Sequence, residues 1–236
     1  MSVATYPLVI VTTSERLPHI RTFHPRRGRM GDRHRDALDR LLPVYGVPVT
    51  RQPLDLDALF GRRLPVVLEI GSGMGEATAD MAAADPERGY LAVDVHTPGV
   101  ANLLALVEER GLTNVRIALG DALEVVDHQL APRTVDAIHV FFPDPWPKAR
   151  HHKRRLIQPR HVALLRSRLV PGGTLHCATD SADYAAAMLE TLSGDPELGN
   201  AYDDYAPRPG YRPLTKFEQR GVDAGRDVFD LIFTRR

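Results

Sequence analysis

Glu69 stands two residues before the first glycine of Gly71-Ser72-Gly73-Met74-Gly75, a turn that follows the apolar run Val66–Ile70 and precedes a stretch of helical composition. Glycines at such a turn permit positive φ and let the backbone at a helix N-terminus approach a ligand closely. The spacing Gly71-x-Gly73-x-Gly75 is not the G-x-G-x-x-G of dinucleotide enzymes, because position 76 is glutamate. A carboxylate so near the turn suits a ligand bearing an ammonium or a sulfonium better than a pyrophosphate, and S-adenosylmethionine bears both. The bland reading of the same residues is a plain tight strand-to-helix turn.

Two further carboxylates end the next two apolar runs. Asp94 lies 19 residues past Gly75, where a carboxylate can accept from both ribose hydroxyls. Asp121, in Gly120-Asp121-Ala122, can accept from an adenine amino group, or simply cap the following helix. Three acidic residues at three successive strand ends all fall on the ligand-binding edge of an open sheet.

The fourth apolar run leads into Phe141-Phe142-Pro143-Asp144-Pro145-Trp146-Pro147-Lys148. Prolines at alternate positions set φ and remove backbone donors, so this stretch is a stiff loop rather than a central strand. Asp144 is therefore held in place beside the chain's one tryptophan. The alternative is an aromatic and proline plug over the sheet edge.

These residues are positioned by an alternation of apolar strands and amphipathic helices that begins at Pro65. Strands are predicted at 66–70, 90–95, 115–119, 135–142, 174–178 and 228–234, and helices at 76–84, 100–110, 122–130, 159–169 and 182–192. Such a series folds as a doubly wound α/β domain with a mostly parallel sheet. Ahead of it, residues 1 to about 30 predict a flexible basic arm. A short helix capped by Asp32 and stopped at Pro43 follows, then a proline-rich connection with one helical turn at 56–60. The division expected is thus an arm and connecting segment over 1–64 and a catalytic domain over 65–236.

At 236 residues with 43% hydrophobic and 25% charged side chains, one sizeable globular domain is expected, with neither a disordered nor a fibrous chain. No long apolar span and no secretory leader pattern is present, which predicts a cytoplasmic protein without a membrane segment. Cys177 is the single cysteine, so an internal disulfide and a thiolate zinc site are excluded; it reads as a buried strand residue. His151-His152 has no acidic or cysteine ligand at useful spacing, so no metal is expected.

Formal net charge is zero, yet eight arginines lie between Arg16 and Arg40 and eight basic residues, with no acidic one, between Lys148 and Arg168. Segregated charge of this kind suits an RNA backbone, although a solvated basic face has the same composition.

Glu69-Ile-Gly-Ser-Gly-Met-Gly75, the Phe141–Lys148 loop, Arg150-His-His-Lys-Arg-Arg155, Ala178-Thr-Asp180 and Thr215-Lys-Phe-Glu218, in this order, resemble the bacterial tRNA (guanine-N7)-methyltransferase family. The likeness covers about residues 20 to 236, including the arm Ile20–Met30. It implies a seven-stranded, Rossmann-like S-adenosylmethionine-dependent methyltransferase fold and methylation of N7 on the variable-loop guanine at tRNA position 46, with no obligatory protein partner. It also implies that Glu69, Gly71, Gly73, Asp94, Asp121, Ala122 and Asp144 bind the cofactor, with Asp144 the catalytic residue. Lys148, Asp180, Thr215, Lys216, Phe217 and Glu218 would face the substrate, and Arg150, His151, His152, Lys153, Arg154 and Arg155 the RNA. Trp146 or Phe217 could stack on an exposed base, with core packing the other reading of Phe217. The chain departs from the family pattern at Asp94, where glutamate is usual, and at Ser72, often an aromatic.

Other classes fit less of the chain. A nicotinamide oxidoreductase fails on the glycine spacing. A methyltransferase acting on a small molecule leaves both basic segments unexplained, one acting on another RNA does not, and a non-catalytic RNA-binding module leaves the strand-end carboxylates without a role.

Overall fold

The computed structural model describes residues 21–24 and 28–236, the side chain of Phe217 excepted. Much of the expected basic arm, including Arg16, Pro18, Arg26 and Arg27, lies outside the described residues.

Among the described residues, seven strands form one sheet: β1 Val66–Ile70, β2 Gly89–Asp94, β3 Val115–Leu119, β4 Val135–Phe141, β5 Leu169–Thr179, β6 Leu198–Asn200 and β7 Phe229–Arg235, in the order β3-β2-β1-β4-β5-β7-β6. The first five are parallel, and β7 runs antiparallel to both β5 and β6. All five residues of β1 are buried, as required of a central strand covered on both faces.

The helices are α1 Asp32–Tyr45, α2 Leu56–Phe60, α3 Glu76–Ala84, α4 Thr97–Glu109, α5 Ala122–His128, α6 Pro159–Arg168, α7 Ala182–Ser193 and α8 Lys216–Asp223, with a 3-10 turn over Ala149–Arg154. One face of the sheet packs Leu68, Val93, Ile138 and Leu175 against Val125, Leu165, Tyr184 and Met188 of α5, α6 and α7. The other packs Val67, Ala92 and Ile117 against Ala79, Leu104 and Leu41 of α3, α4 and α1. Alternate residues of each strand serve the two faces, which sends Glu69 to the α3 side with Val67.

Several expectations are corrected here. Helix α1 runs through Pro43 to Tyr45, because a proline in the last turn removes one donor without ending the helix. Its N-cap is Gly31 rather than Asp32. Within residues 32–64, Ala37 and Leu41 are buried against α4, and Val47 joins the core beside β3. Of the predicted arm, Thr22 is buried. Strand β6 and helix α8 are additions, and β5 begins at Leu169 because that residue pairs with Val135 across a register shift.

Candidate functional site

A cavity of about 530 Å³ opens at the carboxyl ends of β1 to β4, where the strand order reverses between β1 and β4. Open α/β sheets bind ligands at this switch point, and the volume suits a nucleoside-sized molecule. Its walls include Glu69, Asp94, Asp121 and Asp144, the Gly71–Gly75 turn, Phe141, Phe142, Arg212 and Thr215.

The turn is shaped by close packing. Gly75 has φ +77°, and a Cβ on it would stand 2.4 Å from Leu103 Cβ. A Cβ on Gly99 of α4 would meet Gly73 O at 1.8 Å, so α4 approaches the turn only because residue 99 has no side chain. The N–H groups of Gly71, Gly73 and Gly75 donate to Val93 O, Asp94 Oδ2 and Ser72 O at 2.8, 2.7 and 2.8 Å. These glycines line the cavity by their shape, with those donors already used.

Glu69 is 2% exposed and accepts a hydrogen bond from Thr78 Oγ1 on α3. Burial pushes its pKa up to about 7, against the Thr78 hydroxyl, with Asp94 adding to the rise. A buried carboxylate whose ionisation is this costly is stabilised by a cation placed beside it, and S-adenosylmethionine brings two. Asp94 accepts from Gly73 N–H and from His96 N–H, each at 2.7 Å, while burial holds its pKa above the ordinary aspartate value. Asp121 caps α5 by accepting from Leu123 N–H at 3.0 Å and still lines the cavity. The cavity's size and its carboxylates therefore fit that cofactor.

Asp144 Oδ2 accepts the backbone N–H of His24 at 2.8 Å. The His24 ring stacks on Trp146 at 3.8 Å between centroids, and Trp146 Nε1 donates to Thr22 O at 3.2 Å. Arg154 covers the indole at 4.8 Å. Trp146 is thus 3% exposed and cannot serve as an open stacking surface as the sequence suggested; it anchors residues 22–24 over the loop. The Phe217 side chain lies outside the described residues.

The expected substrate and RNA residues divide. Lys148, Arg150, Lys153 and Arg154 are exposed beside the cavity loop, and His151 packs edge-on to Trp146. His152 lies 3.8 Å from Asp183. Arg155 is corrected: it is 4% exposed, donates to Pro145 O and Asp183, and lies over Tyr184. Glu218 is 3% exposed, and its two carboxylate oxygens accept from Arg212 at 2.6 and 2.9 Å. Thr215 caps α8 through Glu218 N–H, Lys216 meets Glu76 at 3.1 Å, and Asp180 meets Arg226 at 2.9 Å. Arg166 and Arg168, part of the basic run, are spent on Asp195, Glu197 and backbone carbonyls. Cys177 is fully buried, and burial raises its thiol pKa.

Arg212 went unnoticed in the sequence, where nothing local distinguishes it. It is 2% exposed and binds Asp230 as well as Glu218, over the rings of Phe141 and Phe142. Asp230 also takes a hydrogen bond from His176 at 2.6 Å, and Tyr211 reaches the other nitrogen of that ring at 2.9 Å. This network covers β4, β5 and β7 on the face that α3 and α4 leave open. Gly99 had one local signal, the Pro98-Gly99 pair opening a helix.

A family model described as a putative methyltransferase matches residues 63–231. A tRNA (guanine-N(7)-)-methyltransferase of Nitrosospira multiformis is 55% identical over 224 residues, covering 94% of this chain and 98% of that one. One from Burkholderia vietnamiensis is 56% identical over 217 residues, covering 92% of this chain and 85% of that one. Among solved structures, the 16S rRNA methyltransferase KamB aligns with a TM-score of 0.56 at 18% identity, covering 78% of this chain and 95% of that one. A 16S rRNA (adenine(1408)-N(1))-methyltransferase solved with cosubstrate SAM aligns at 0.51 and 16% identity, covering 72% and 85%. These two show a shared fold. The identity to the curated relatives, sustained along nearly the whole chain, makes it a member of the tRNA (guanine-N(7)-)-methyltransferase family.

Proposed function

We propose that this protein transfers the methyl group of S-adenosylmethionine to N7 of a guanine in tRNA, the variable-loop guanine at position 46. The observation that carries the reading is the cavity at the switch point, walled by Glu69, Asp94, Asp121 and Asp144 and flanked by exposed Lys148, Arg150, Lys153 and Arg154.

The bound cofactor supplies an electrophilic sulfonium methyl. N7 of guanine offers an unprotonated lone pair, so no side chain has to remove a proton before attack. What remains for the protein is to hold N7 in line and to place negative charge where the base becomes positive. Asp144 has both properties: prolines on either side restrict its backbone, and His24 N–H orients one carboxylate oxygen. Glu69 and Asp94 belong to the cofactor, the first facing its cations and the second its ribose. The exposed basic side chains hold phosphates and bring the RNA to the loop. Action in the cytoplasm with no obligatory protein partner belongs to the same reading.

The test is transfer of labelled methyl from S-adenosylmethionine to unmodified bulk tRNA, with nucleoside analysis and mapping. Label at N7 of the variable-loop guanine is the expected result. Cofactor binding without any transfer to tRNA would overturn the substrate assignment.

A further inference from the structure

Among the described residues, five carboxylates wall the cavity, Glu69, Glu76, Asp94, Asp121 and Asp144, against three Lys or Arg side chains, Arg212, Lys216 and Arg220. Two of these cations are matched within the protein. Arg212 is shared between Glu218 and Asp230, and Lys216 is held by Glu76. Arg220 sits four residues beyond Lys216 on α8, the interval that places two helical side chains on one face. Its exposed guanidinium has no hydrogen-bonding or ion-pair partner among the described residues.

The usual cofactor of this family carries two cations and one carboxylate, the latter at its amino-acid end. The wall carboxylates answer the cations. The anion needs donors, and three natural ones, the N–H groups of Gly71, Gly73 and Gly75, are already spent on Val93, Asp94 and Ser72. We propose that Arg220 is the oxyanion-binding residue of this cavity, a planar fork that takes the α-carboxylate of the cofactor through paired hydrogen bonds. A phosphate of the target nucleotide presents the same chemistry, and the test separates the two. The proposal rests on the cofactor and substrate assigned above.

Wild type, Arg220→Gln and Arg220→Lys, all full-length, are titrated calorimetrically with S-adenosylhomocysteine and with 5′-methylthioadenosine, which lacks the amino-acid end. Methyl transfer to tRNA is measured in parallel. With Arg220→Gln, S-adenosylhomocysteine binding is expected to weaken roughly ten- to a hundredfold, methylthioadenosine binding to hold, and Arg220→Lys to recover part of the loss. Unchanged S-adenosylhomocysteine affinity with a raised KM for tRNA and intact kcat would assign the fork to the nucleotide phosphate. The proposal is overturned if neither ligand nor tRNA KM responds, or if both nucleosides weaken equally. A wild-type protein that binds neither nucleoside would instead defeat the cofactor assignment on which the proposal rests.

Discussion

His24 donates its backbone N–H to Asp144 across 120 residues of sequence, and the same residue lays its ring on Trp146. One short segment thereby orients the carboxylate proposed for catalysis and closes the wall beside it. Both contacts depend on the loop conformation, in which Phe142 and Trp146 hold φ of +50° and +46°. Non-glycine residues seldom occupy that region, and strain of this kind concentrates at functional sites.

Replacing Asp144 by alanine removes both the charge and the acceptor for His24 N–H. Asparagine keeps an acceptor and loses the charge. If negative charge near the methylated base is what matters, both variants should lose roughly a hundred- to a thousandfold in kcat. Single-turnover transfer to tRNA at saturating cofactor checks this, and an asparagine variant near wild type would assign Asp144 to geometry alone.

Trp146→Ala removes a buried ring together with its contacts to Thr22, His24 and Arg154. The expected cost is about 3–5 kcal/mol of stability, read from urea unfolding. A variant as stable as wild type but with a raised KM for tRNA would restore the indole as a base-stacking surface.

Glu69 gives stability and ligand affinity opposite dependences on pH. Its folded pKa of about 7 lies above its ordinary value of 4.5, so its contribution to stability is present below that lower value and lost as pH rises through 7. Cofactor binding uses the ionised carboxylate and should strengthen over the same window. Thermal melts of the free protein should show Glu69→Gln gaining on wild type between pH 5 and pH 8 (about the span over which the group ionises). Calorimetry should show wild-type affinity for S-adenosylhomocysteine rising with pH and that of the variant flat by comparison.

Adjacent basic residues separate by role. Arg155→Gln loses the donors that hold Pro145 O and Asp183 and should cost about 1–3 kcal/mol in unfolding experiments, the exposure of Asp183 keeping the figure modest. Arg150→Ala and Lys153→Ala should leave stability unchanged and weaken tRNA binding. Each should lower the slope of log affinity against log salt by about one. Equal destabilisation by all three would remove the distinction.

Arg212→Met leaves Glu218 and Asp230 buried without their cation, and a loss of about 3–5 kcal/mol is expected. A chemical denaturation curve indistinguishable from wild type would show that the network tolerates an uncompensated charge.

The order of elements, the glycine turn and the strand-end carboxylates were legible in the residues themselves, because each has a local cause. Val66–Ile70 is apolar apart from Glu69, Gly71 to Gly75 breaks it, and Asp94 and Asp121 follow at the ends of the next strands. The basic run after Lys148 was legible as composition, but not its division of labour. Arg150 and Arg155 are the same residue type five positions apart; one is exposed, the other packs under the loop against Tyr184. Only the assembled fold decides this, since it depends on which backbone and carboxylate groups distant segments deliver. The same holds for the antiparallel β7, for the pairing of Glu218 with Arg212, and for His24 on Asp144. Local periodicity and turn chemistry act within a few residues, whereas these partnerships form only when packing brings remote segments within hydrogen-bonding distance.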